Sequence, residues 1–100
     1  MLNLTTAAIG TSNGIAGIAA GLNILSNERT TTQITGTATA AAVDAVVAVF
    51  NSSTGNGELW YDDNWSTLTG RKQIATLDNM DSAAELNGVS ALNGVDFSII

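Results

Sequence analysis

The amino-acid sequence predicts a small, mainly β fold: a single-domain β-meander or sandwich-like arrangement carrying one or two short helical turns. The stretch AVVAVFNSSTGNGELWYDDNWSTLTGRKQIATL, from Ala45 to Leu77, holds three β-favouring runs separated by Gly-, Asn- and Ser-rich turns. Large apolar groups stand on both parities of these runs, which is the pattern of a sheet covered on both faces. Charged residues make up 12% of the chain, about half the usual share, so Thr, Ser, Asn and Gly form the surface. One hundred residues suffice for one domain, 1–100, with one modest core.

In chain order, residues 1–29 form a low-complexity N-terminal segment of Ile, Leu, Ala, Gly and Asn. Ile15, Ile18, Leu22 and Leu25 recur at helical spacing, while Ile18, Ala20, Leu22 and Ile24 alternate as in a strand. Gly14, Gly17 and Gly21 weaken a helix, and Gly and Ala are equally poor strand formers, so a short helix and a strand pair both stand. Thr30 to Thr39 (TTTQITGTAT) reads as a strand bent at Gly36, because Thr is β-branched. The Ala-rich run Ala38 to Asp44 reads as one or two helical turns capped by Thr37 or Thr39, or as part of one long strand.

The meander follows. Val46 to Phe50 and Glu58 to Tyr61 form a hairpin across SSTGNG, and Lys72 to Leu77 makes the third strand. Val47 and Val49 face one side, with Val46, Ala48 and Phe50 on the other; Leu59 and Tyr61 oppose Glu58, Trp60 and Asp62. The expected core is Phe50, Leu59, Tyr61, Ile74, Leu77 and Phe97, joined by part of the N-terminal Ile/Leu set. Asp78 to Ser90 is an acidic linker in which Ser82 to Leu86 forms one helical turn with capping-box spacing from Ser82 to Glu85. LNGVDFSII, from Leu92, closes the chain with a turn at Asn93-Gly94 and a short apolar strand.

Composition excludes several classes of function. A net charge of −6, with Arg29, Arg71 and Lys72 as the only basic side chains, leaves nothing to neutralise nucleic-acid phosphates or hold an anionic membrane. There is no Cys for a disulfide or thiolate site, and no His for general-base work or nitrogen ligation. The apolar run from Ala40 to Phe50 is too short to insert in a membrane and carries Asp44. The first residues lack the basic start of a secretory signal.

Two constellations remain as candidate sites. Asp62, Asp63 and Asn64 could offer oxygens to calcium, which takes about six to eight, so three adjacent groups read more simply as a solvated acidic turn. Asp78, Asp81 and Glu85 read as a solvated linker. Trp60 and Trp65 could stack on a sugar, the basis of an alternative reading as a carbohydrate-binding or adhesive module. No catalytic constellation assembles, and the chain is read as a non-enzyme.

Phe50-Asn51, Thr54-Gly55, Leu59, Tyr61-Asp62, Gln73 to Leu77, Leu92 and Asp96-Phe97 form an ordered set. It resembles the C-terminal region of the RTX (repeats-in-toxin) hemolysin-type calcium-binding proteins, over roughly residues 37–100. The spacing slips at Asn56-Gly57-Glu58, and Asp62-Asp63-Asn64-Trp65 stands where the family has an Asp-Ala-Asp-Gly turn. The family's glycine-rich calcium repeats do not occur in the chain. The resemblance implies the non-catalytic C-terminal domain of a secreted or cell-surface bacterial protein, acting as structural cap and secretion-associated tail. It implies export by a type I secretion apparatus without an N-terminal signal, with Asp96, Phe97, Ile99 and Ile100 as the terminal motif, and upstream domains of a parent protein as partners. Calcium belongs to the parent's repeats, and no cofactor is expected in this segment.

Overall fold

The structure, a computed structural model, describes residues 9–77. Five strands form one mixed sheet in the order of the chain: β1 (Ile9–Ser12), β2 (Gly21–Leu25), β3 (Ala45–Asn51), β4 (Asn56–Asp62) and β5 (Lys72–Leu77). β1 pairs with β2, and β2 with β3, in parallel; β3–β4 and β4–β5 are antiparallel. The mainly β class expected from the sequence is the class observed, with one 3-10 turn (Ile15–Gly17) and one short helix, α1 (Thr31–Gly36).

The N-terminal segment resolves into strands joined by a very short crossover. Ile9 lies opposite Leu22, thirteen residues on, and residues 13–20 make the whole parallel connection, where a dozen or more residues, usually a helix, are the norm. The 3-10 turn packs Ile15 and Ile18 beneath the sheet. Asn23, buried in β2, clamps this connection: its side chain donates to the Ala19 carbonyl at 2.6 Å and accepts from the Ala19 amide at 3.1 Å.

Two expectations between β2 and β3 are corrected. Thr30 to Thr39 is not a bent strand. Thr30 caps α1, its hydroxyl accepting from the Gln33 amide while the Gln33 side chain accepts from the Thr30 amide. This reciprocal pair outweighs the β preference of threonine, and Ile34 anchors the helix in the core. Ala38 to Asp44 is neither helix nor strand. Its backbone is drawn into tertiary bonds instead: the Thr39 amide donates to the Trp65 carbonyl at 2.9 Å and the Trp65 amide to the Val43 carbonyl at 3.0 Å. Alanine's helix propensity is a weak preference that such contacts override.

The hairpin and third strand fall where the sequence puts them. Asn51 faces Asn56 across a four-residue turn in which Gly55 takes φ 77°, a conformation glycine adopts without strain. The expected division of faces also holds. One face carries Ala45, Val47, Val49 and Trp60, covered by Ile15, Ile18, Ile34 and Trp65. The other carries Leu22, Ile24, Val46, Ala48 and Leu59, edged by Tyr61, Ala75 and Leu77.

The expected core needs adjustment. Phe50 and Leu59 are buried, and Tyr61 and Leu77 are half-buried. Ile74 is 37% exposed because it is the extra residue of a β-bulge: Leu59 pairs with Ala75 and Trp60 with Gln73, leaving Ile74 without an opposite number. Phe97, and the expected turns and strand between Asp78 and Ile100, lie outside the described residues.

Candidate functional site

The candidate loop runs from the end of β4 to the start of β5, and its centre is Arg71. The Arg71 guanidinium donates from Nη1 to the carbonyls of Ile34 (2.8 Å) and Thr37 (2.7 Å), and from Nη2 to those of Trp65 and Thr67 (3.1 Å each). Its Nε faces Asp62 Oδ2 at 3.4 Å, with both side chains buried. The guanidinium also lies 3.9 Å from the centre of the Trp65 ring, a cation–π distance. One side chain thus ties the C-terminus of α1, the β4–β5 loop and the end of β4 together. Burial lowers the Arg71 pKa from its ordinary value, and the Asp62 carboxylate works against that lowering.

This geometry gives the three calcium candidates three different settings. Asp62 is fully buried; its Oδ1 accepts from the Asn64 amide at 2.9 Å and its Oδ2 faces Arg71. The Asn64 side-chain oxygen accepts from the Ser66 amide at 2.9 Å and from the Ser66 hydroxyl, building a local turn. Asp63 is exposed. The expected solvated acidic turn is therefore corrected at Asp62, whose carboxylate is an internal counter-ion. Among the described residues no three acidic side chains gather as a metal site would require.

The two tryptophans, expected to be exposed in the sugar-binding alternative, are both buried. Trp65 is 0% and Trp60 7% exposed. The Trp65 indole N–H donates to the Ala45 carbonyl at 2.9 Å, and that of Trp60 to Glu58 Oε1 at 2.9 Å. A sugar needs an open ring face. Trp65 turns one to Arg71, and the burial of Trp60 leaves it no platform to offer.

A second polar cluster, missed in the sequence, sits at the hairpin end of the same face. Glu58, 1% exposed, accepts from Asn51 Nδ2 (2.8 Å) and Trp60 Nε1 at Oε1, and from the Thr54 hydroxyl (2.8 Å) at Oε2. Asn51 also donates to the Thr31 hydroxyl at 2.8 Å, bringing in the start of α1. The signal was present in the alternation: Glu58 shares its parity with Trp60 and Asp62, on the face that pairs with Val47 and Val49. Arg71 left a fainter mark as one of three basic residues in an acidic chain.

Both clusters are closed. Each acceptor and donor named is used by another part of the chain, an arrangement that locks loops to a sheet. Searches among family models, curated proteins and solved structures found no match to this chain. Among the described residues the fold is one mixed β-sheet with two buried polar clusters, each closed by partners from the chain itself.

Proposed function

We propose that this chain is the non-catalytic C-terminal domain of an exported, RTX-like bacterial protein, serving as its structural cap and secretion-associated tail. The observation that supports the cap is the change of strand direction across the sheet. β1, β2 and β3 stack in parallel, the first two through a connection of only residues 13–20, in the manner of coils in a β-solenoid. β4 and β5 then fold back antiparallel, which ends such a stack. The closure of both polar clusters favours a structural part over a binding or catalytic one.

The tail half of the reading rests on the resemblance of Asp96, Phe97, Ile99 and Ile100 to the family's terminal motif. Those residues lie outside the described part of the chain. On this reading the partners are a type I secretion apparatus and the upstream domains of a parent protein, and the destination is the cell surface or the medium. The test is export of a passenger fused upstream of the chain, in a host carrying a type I exporter. Deleting Asp96 to Ile100 should abolish export; undiminished export after the deletion refutes the tail.

A further inference from the structure

The sheet has two buried faces, and only one of them has a cover among the described residues. Beneath the first lie the 3-10 turn, α1 and Trp65. The second presents Leu22, Ile24, Val46, Ala48 and Leu59, none more than 4% exposed, and every described residue clustered with them belongs to the strands themselves. A strand face cannot shield itself from water, so an apolar patch this dry requires a second layer.

We propose that residues 79–100 of this chain are that layer. Three observations select them over residues 1–8. First, β5 ends at Leu77, which is half-buried at the edge of this same cluster, so the chain leaves the sheet beside the face to be covered. Second, the dry patch runs from Leu22 on β2 to Leu59 on β4 and continues to Ala75 on β5. Four strands at about 4.8 Å spacing span roughly 14 Å. Eight extended residues, roughly 26 Å long, cross that patch only once as a strip about one strand wide, whereas the residues from 79 to 100 allow more than one pass. Third, the apolar content is unequal: the closing stretch carries Leu86, Val89, Leu92, Val95, Phe97 and Ile99, against Met1, Leu2 and Leu4 at the start. The cover does not depend on the export reading, and either can fail alone.

The test is methyl and aromatic nuclear Overhauser spectroscopy on the full chain, in a sample mixing isotope-labelled and unlabelled copies. Contacts within one molecule from Leu92, Phe97 or Ile99 to Leu22, Val46 or Leu59 are expected. Contacts to those three residues from Leu2 or Leu4 alone, contacts only between copies, or none from residues 79–100 would each overturn the proposal. A second readout is Phe97→Asp in the full chain. It should move the Val46 and Leu59 methyl signals and leave those of Ile15 and Ile34, on the opposite face, nearly in place; unmoved Val46 and Leu59 signals contradict the cover.

Discussion

Arg71 does work that a lysine in its place could not. Its planar fork reaches four backbone carbonyls and a carboxylate at once, whereas an ammonium has three donors on a flexible stem. Removing it strands a fully buried Asp62 carboxylate as well as the carbonyls of α1's last turn. Arg71→Ala should therefore cost about 3–5 kcal/mol in urea melts, the usual loss when one partner of a buried pair is deleted. Arg71→Lys should recover only part of that stability. A loss below about 0.5 kcal/mol for Arg71→Ala, the level of an ordinary surface change, would show that the knot carries no stability.

Tyr61 provides a second test at the level of one side chain. Its pKa is raised from 10.0 to about 12, first by burial, then by the neighbouring carboxylates of Asp44, Asp63 and Asp62. The folded value lies above the unfolded one, so this contribution is complete below pH 10 and is lost as pH climbs towards 12. Tyr61→Phe has no phenol to ionise and should lose stability less steeply over that window. Parallel urea midpoints for the two proteins across the window would contradict the assignment.

Among the elements, the β4–β5 pair separates residues that look alike in sequence. Leu59 and Ile74 are both large, aliphatic and within strands, but Leu59 is 3% exposed and Ile74, on the bulge, 37%. Leu59→Ala should cost about 2–5 kcal/mol by leaving a cavity. Ile74→Ala should cost less, about 1 kcal/mol, since more than a third of the residue stays in water on the bulge and its loss leaves no closed cavity. Equal losses in denaturant melts would mean the register of β5 differs from that described. The contrast also shows what a sequence can disclose. Alternation in Ala45 to Leu77 exposed the three strands and the facing of β3 and β4, because a period of two is a local property. The bulge was hidden, since an extra residue is defined only against a partner strand. Thr30 and Gln33 carried a legible cap that the run of β-branched threonines obscured. The parallel pairing of β1 with β2 rests on contacts between residues thirteen apart, which no local period marks. For the candidate site, the acidic residues were visible but their counter-ion was not, because Arg71 reaches Asp62 only once the β4–β5 loop closes.

At the scale of the whole molecule, the question is whether an acidic domain of net charge −6 needs a divalent cation to fold. The family resemblance points towards calcium, and the geometry points away from it. Of the three loop groups that could have formed a site, Asp62 faces Arg71, Asn64 builds its own turn, and Asp63 alone is open to solvent. The charge that a cation would have balanced at Asp62 is balanced from within the chain. What remains is diffuse attraction of the kind that gives dissociation constants in the millimolar range. At about 1 mM calcium such a site adds only about 0.4 kcal/mol to folding, which for a domain of this size moves Tm by about 2–3 °C. A micromolar site would add about 4 kcal/mol under the same conditions, a shift well above 10 °C. Thermal melts in chelator and in millimolar calcium are therefore expected to agree to within about 3 °C. A shift beyond about 10 °C would mean that calcium is an obligate part of this fold and that Arg71 is not the counter-ion on which the β4–β5 loop closes.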